Sequence, residues 1–116
     1  MGTDGSEITA AEAAQHAPRR IDEYLTDVLS KGGSDLHFVA GDPPRIRVYG
    51  ELQALRDQPL GQEQVREALT EIMTRRALER LEEMDGADFA YTIPGVSRFR
   101  VNVFRHIGGL GGVFRA

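Results

Sequence analysis

The spacing of apolar residues along the chain alternates between a period of about 3.6 and a period of two. Residues 20–33 show the helical spacing, and Gly32 with Gly33 is predicted to end that helix. The same spacing recurs over residues 61–73 and, after Thr74 as a predicted N-cap, over residues 75–84. The predicted apolar faces comprise Ile21, Tyr24, Leu25, Val28 and Leu29, then Val65, Ala68, Leu69, Ile72 and Met73, then Ala77, Leu78, Leu81 and Met84.

Between the first and second predicted helices, apolar and polar residues alternate, which is typical of half-buried strands. Residues 34–41 form one such segment, and a Pro-Pro turn ends it. Residues 45–55 are predicted to form a hairpin that turns near Tyr49-Gly50. The residues predicted to face inward are Leu36, Phe38, Ile46 and Val48.

The last third of the chain predicts three more strands. Residues 88–93 and residues 98–106 alternate, and Pro94-Gly95 turns the chain between them. The segment "GGLGG" is predicted to be a flexible hairpin that leads into a short final strand over residues 113–115. The residues predicted to face inward are Phe89, Tyr91, Ile93, Phe99, Val101 and Val103.

The order of elements is helix, three strands, two helices and three strands. Because strands joined by tight turns are antiparallel, this order predicts an α+β domain with helices packed on an antiparallel sheet of about six strands. A length of 116 residues fits one domain. Residues 1–18 are small, polar and Ala-rich, and are predicted to be a mobile N-terminal arm before a folded domain at 19–116.

Composition and motifs exclude several functions. Without cysteine, the chain has no disulfides and no thiolate chemistry. Its formal net charge of −4 argues against nucleic acid as a partner. No apolar run approaches the ~20 residues of a membrane span, and no signal peptide is evident, so we expect a cytoplasmic location without membrane insertion.

Catalytic and metal-binding motifs are missing as well. The nucleotide-binding pattern GxxxxGK[ST] is absent, so the chain alone is predicted to bind no cofactor and to hydrolyse no ATP. The three histidines show no metal-ligand spacing, so no metal site is predicted. Asp35 and His37 share one strand face, where they form either a hydrogen-bonded pair or a surface pair without a role, and the second interpretation is favoured.

Arginine is concentrated at the C-terminal end, where it supplies four of the last nineteen residues. Alternation places Arg98 and Arg100 on the polar face of their strand, about 6–7 Å apart. On composition alone, solvated surface arginine is the simpler interpretation. Arginine is also the side chain that binds phosphate through two donors and acts across subunit interfaces, so an anion-binding face is the alternative.

Four motifs carry a family resemblance: Ser34-Asp35-Leu36-His37, the Gly-x-Pro-Pro turn before Ile46-Arg47-Val48, Asp88-Phe89, and Arg98-Phe99-Arg100-Val101-Asn102 followed by Val113-Phe114-Arg115. In this order, over about residues 20–116, the chain resembles the N-terminal domain of the type IV pilus retraction ATPases of twitching motility, the PilT family of the secretion ATPase superfamily.

The resemblance implies a PAS-like domain that precedes a RecA-like ATPase core, which this sequence does not contain. It implies a homohexamer that uses ATP and Mg²⁺ to retract the pilus. The implied partners are the RecA-like core, the neighbouring subunits and an inner-membrane platform protein, and the implied location is the cytoplasmic base of the pilus machine. The resemblance also implies that Arg98 and Arg115 occupy positions that meet the nucleotide phosphates, with Arg100 as the secondary candidate.

Two alternatives remain at this point. One is a free-standing PAS-like sensor or interaction module, which would need polar groups inside the sheet, whereas the predicted inward residues are apolar. The other is the same domain from a pilus-assembly or type II secretion ATPase.

Overall fold

The computed structural model describes residues 17–116, so the predicted arm lies outside the described residues except for its last two positions. Three helices and six strands follow in the predicted order. The helices are α1 (Asp22–Ser30), α2 (Gln62–Thr70) and α3 (Arg75–Met84). The strands are β1 (Asp35–Val39), β2 (Arg45–Val48), β3 (Glu51–Ala54), β4 (Gly86–Ile93), β5 (Ser97–His106) and β6 (Gly109–Arg115).

All six strands form one sheet in the order β3-β2-β1-β6-β5-β4. Every neighbouring pair in that sheet is antiparallel. The α+β prediction with an antiparallel six-stranded sheet is therefore confirmed. The first and last strands meet at the centre, where β1 pairs with β6 from Asp35 opposite Arg115 to Val39 opposite Gly111.

One face of the sheet forms the core together with the helices. Alternation along β5 places Phe99, Val101 and Val103 in this core, each at most 2 % exposed, as predicted. The helices contribute buried side chains from one stripe each. The largest side chains that are fully buried include Phe38, Phe99, Phe114, Ile21, Leu25, Leu36, Ile46 and Leu69.

The predicted apolar face of α3 is wrong at two positions. Leu78 is 37 % exposed and Met84 is 66 % exposed, whereas Ala77 and Leu81 are buried. The reason is that α3 packs mainly on β4, an edge strand, so the sheet covers only a narrow stripe of the helix. The predicted N-cap is confirmed, since the Thr74 hydroxyl accepts a hydrogen bond of 3.1 Å from the Ala77 amide.

A hairpin is present at "GGLGG", as predicted, but its turn is shorter and the following strand is longer than predicted. The turn lies at residues 107–108, and β6 begins at Gly109, so three of these glycines belong to a strand. A Cβ at Gly112 would lie 2.9 Å from Cδ2 of Leu69, which is fully buried on α2. Gly112 therefore allows α2 to pack closely on the sheet, and the lack of a side chain is its structural role.

The alternation on β5 predicts very different effects of two neighbouring substitutions. Phe99→Ala removes a fully buried ring and should lower the free energy of unfolding by roughly 3–5 kcal/mol. Arg100→Ala removes an exposed side chain and should cost far less. Urea unfolding of both variants measures the decrease in the free energy of unfolding. Equal decreases for Phe99→Ala and Arg100→Ala would contradict this strand register.

The glycine contacts predict that Gly112→Ala is destabilising. The added methyl would press on the buried Leu69, and overpacking of this kind costs about 1–3 kcal/mol. Gly86→Ala is the matched control in another strand, because its nearest contact would be an ordinary 3.5 Å to the Val103 carbonyl. Thermal unfolding of the two variants tests this expectation. Equal melting temperatures for Gly112→Ala and Gly86→Ala would contradict it.

Candidate functional site

The face of the sheet opposite the helices carries a row of charged residues across four adjacent strands. Arg47 on β2 lies opposite Asp35 on β1, Asp35 lies opposite Arg115 on β6, and Arg115 lies opposite Arg100 on β5. Side chains directly opposite each other in a sheet lie within reach of one another. The register therefore places Asp35 between two guanidinium groups, with a third, that of Arg100, one strand farther along the row.

A second row runs beside the first. His37 on β1, Val113 on β6, Asn102 on β5 and Asp88 on β4 are in register. The Asn102 amide donates a hydrogen bond of 3.2 Å to the Asp88 carboxylate. Together the two rows line a groove of about 430 Å³ on the open face of the sheet. We call this groove the arginine groove.

Two of the three predicted site residues line the arginine groove, namely Arg115 and Arg100. Arg98 lies on the same face of β5 but two residues farther along, opposite Thr92 on the edge strand. The secondary candidate, Arg100, is thus in register with Arg115, whereas Arg98 stands beyond the end of the groove. Within residues 17–116, no carboxylate forms an ion pair with Arg98 or Arg100.

Asp35 contacts arginines rather than the histidine beside it. Its Oδ2 atom lies 3.8 Å from Nε of Arg47 and 3.8 Å from Nε of Arg115. Arg47 is held further by a hydrogen bond of 2.9 Å that it donates to the Gly50 carbonyl. No hydrogen bond joins Asp35 to His37 in the described part of the chain. The favoured interpretation as a surface pair is nevertheless wrong for Asp35, because this residue is buried and is paired with arginines from the two neighbouring strands.

His37 is held in an electropositive, partly buried position. Burial lowers its pKa below the ordinary value of 6.5, and the nearby Arg47 and Arg115 lower it further, while Asp35 acts in the opposite direction. Its Nε2 atom is buried and has no hydrogen-bond partner among the described residues. The neutral imidazole is therefore the favoured form on this face.

The arginine groove is suited to an anion. Three arginines face two aspartates among its lining residues, and one of those aspartates already bonds to Asn102. The groove brings no nucleophile together with a base, which is the arrangement that hydrolysis by nucleophilic attack would need. Within residues 17–116, no group of His, Asp and Glu is placed to hold a metal ion. No helix in this part of the chain has the length and apolar character to cross a bilayer.

Comparison with known sequences links the domain to proteins of pilus motility. No family model matches the chain. The type IV pilus retraction ATPase PilT of Pseudomonas aeruginosa is 42 % identical over 95 residues, which cover 82 % of this chain and 28 % of that protein. The type IV pilus ATPase PilU of the same organism is 34 % identical over 95 residues, covering 82 % of this chain and 25 % of PilU.

Comparison with solved structures gives the same result. The crystal structure of the pilus retraction motor PilT with bound ADP matches with a TM-score of 0.76 and 32 % identity, over 86 % of this chain and 29 % of that one. The ATPase DotB of Legionella pneumophila matches with a TM-score of 0.70 at 21 % identity, over 100 % of this chain and 31 % of DotB, which shows a shared fold.

The six-stranded sheet with its three helices is therefore the α+β domain that PilT and DotB contain. With its sequence identity to PilT, the chain belongs to the type IV pilus retraction ATPase family and corresponds to the N-terminal domain of those proteins. The chain spans 28 % of the length of PilT and 25 % of the length of PilU.

The lowered pKa of His37 predicts a dependence of stability on pH. As the pH falls through 6.5, His37 binds a proton in the unfolded chain before it does so in the folded domain, so the free energy of unfolding decreases. The decrease is complete below the lowered pKa of the folded state. His37→Gln should remove this contribution to the decrease in the free energy of unfolding, because glutamine does not titrate.

Urea unfolding of both proteins between about pH 8 and about pH 5.5 measures the effect. The comparison at the upper pH gives the cost of the substitution itself, because the imidazole is neutral there in both the folded and the unfolded chain. If the free energies of unfolding of the wild-type chain and of His37→Gln differ by the same amount at every pH, the prediction is contradicted.

Proposed function

We propose that this chain is the N-terminal domain of a hexameric ATPase that powers type IV pilus retraction. In the full-length protein, a RecA-like core holds ATP and Mg²⁺, and this domain closes on the core and on neighbouring subunits. The assembly works at the cytoplasmic base of the pilus and contacts an inner-membrane platform protein. The 42 % identity to PilT over 82 % of the chain supports this role.

Within that assembly, Arg98 and Arg115 contact the nucleotide phosphates, with Arg100 as the secondary candidate. The observation that carries this proposal is the exposed position of all three arginines on the helix-free face, where Arg100 and Arg115 are in register. A guanidinium group stays charged and offers several donors in one plane, which suits phosphate oxygens. Such a group stabilises the charge that develops in phosphoryl transfer.

The chain alone does not hydrolyse ATP under this proposal, because the groups that hold Mg²⁺ and the phosphates belong to the core. A free-standing sensor is less well supported, since Phe38, Phe99 and Phe114 fill the interior where a sensor would keep its ligand. An assembly or secretion ATPase is less well supported because, in the comparison of structures, the identity to DotB is 21 %, against 32 % to PilT.

Substitution of the arginines in the full-length protein tests the proposed role. Arg115→Ala and Arg98→Ala should each lower kcat for ATP hydrolysis by a factor of ~10³ or more, because each removes charge that meets the transition state. ADP should still bind. Arg75→Ala is the matched control, since it removes an exposed arginine from α3, away from the groove.

Arg98→Ala should leave the melting temperature of the 116-residue chain nearly unchanged, because Arg98 is exposed and has no ion pair among residues 17–116. Arg115→Ala should lower it somewhat more, because Arg115 lies 3.8 Å from the buried Asp35 carboxylate. Steady-state ATPase assays and thermal unfolding therefore report on separate properties. Wild-type turnover in both Arg98→Ala and Arg115→Ala would show that the arginine face is solvated surface and would refute the phosphate contact.

A further inference from the structure

Asp35 is the one charged residue that is buried among residues 17–116, with 8 % of its surface exposed. Burial of an ionised carboxylate is costly unless cationic groups compensate it. The compensation comes from two strands at once, since Arg47 on β2 and Arg115 on β6 approach the same Oδ2 atom. A serine, an asparagine or an apolar residue would fill this position without that cost, so the charge itself calls for an explanation.

The contact between Asp35 and Arg115 is electrostatic and leaves the arginine donors free. A separation of 3.8 Å is too long for a hydrogen bond. No hydrogen bond in the described part of the chain uses the Arg115 guanidinium, and its side chain is 69 % exposed. The carboxylate therefore restricts where this guanidinium lies without occupying the N–H groups that a phosphate would need.

We propose that Asp35 is a positioning residue for Arg115, which it holds over the centre of the sheet so that the guanidinium is in place when a phosphate arrives. The inference rests on the proposed phosphate contact of Arg115. Asp35 sits between Arg47 and Arg115 in the register row, so it also screens their mutual repulsion. Asp35 itself does not touch the phosphate.

The kinetic test uses Asp35→Asn in the full-length protein, because asparagine keeps the shape and removes the charge. A freed Arg115 samples many positions, and loss of alignment at a reacting centre costs one to two orders of magnitude in rate, so kcat should fall by ~10–100-fold. KM for ATP should stay the same or decrease, since a negative charge near the phosphates has been removed. Asp57→Asn, in an exposed loop, is the matched control and should keep wild-type kcat.

A double substitution separates positioning from a merely structural role. If Asp35 acts through Arg115, then Asp35→Asn should cause no further loss of kcat in the Arg115→Ala background. An equal loss in both backgrounds would overturn the proposal. A normal kcat for Asp35→Asn, together with a low kcat for Arg115→Ala, would overturn the positioning role while leaving the proposed function intact. A normal kcat for Arg115→Ala would instead refute the proposed phosphate contact on which this inference rests.

A measurement on the wild-type chain keeps the proposal testable even if Asp35→Asn does not fold. In NMR relaxation measurements, the Nε–H bond of Arg115 should have a higher order parameter than the Nε–H bond of Arg98, which lies on the same face and has no carboxylate partner in residues 17–116. Equal order parameters at the two side chains would overturn the proposal, because they would show that Asp35 does not restrain Arg115.

Discussion

The pairing of the first strand with the last is the interaction on which the rest of the domain depends. β1 and β6 lie side by side at the centre of the sheet. Their pairing joins one half of the sheet, formed by β1, β2 and β3, to the other half, formed by β4, β5 and β6. The register of β1 and β6 places Leu36 opposite Phe114, and both residues are fully buried. The same register places Asp35 opposite Arg115 on the other face. One backbone alignment thus fixes both the core and the arginine groove.

The face of the sheet that the helices cover provides most of the stability, whereas the open face carries the residues that we propose for binding. On one face, Phe38, Phe99 and Phe114 supply large buried surfaces, and the absence of a side chain at Gly112 lets α2 approach. Burial of such side chains is the dominant favourable term in folding. On the other face, exposed arginines without an ion pair in residues 17–116, such as Arg98 and Arg100, contribute little to stability. These two arginines can therefore serve binding at little cost to the fold.

The parts of the structure that follow from local pattern could be predicted from the sequence. Phe99 and Arg100 fall on opposite faces because strand alternation is a property of neighbouring residues. The strand at Gly111 and Gly112 could not be predicted in this way, since glycine has no side chain to show periodicity. The exposure of Met84 depends on α3 lying over an edge strand, which the helical spacing alone does not reveal.

The partners of Asp35 could not be predicted from the sequence either, for a different physical reason. Its nearest titratable neighbour in the chain is His37, yet its contacts are Arg47 on β2 and Arg115 at the far end of the folded part. Those contacts arise from the order of strands in the sheet, and an alternating pattern says nothing about which strands become neighbours. A buried carboxylate needs a cationic partner, and only the strand register decides which arginine supplies it. Once β1 and β6 are paired, the position of Arg115 is no longer independent of Asp35. Any ligand that approaches Arg115 then meets a guanidinium whose neighbour already bears a negative charge, so the net charge that the groove offers depends on both residues.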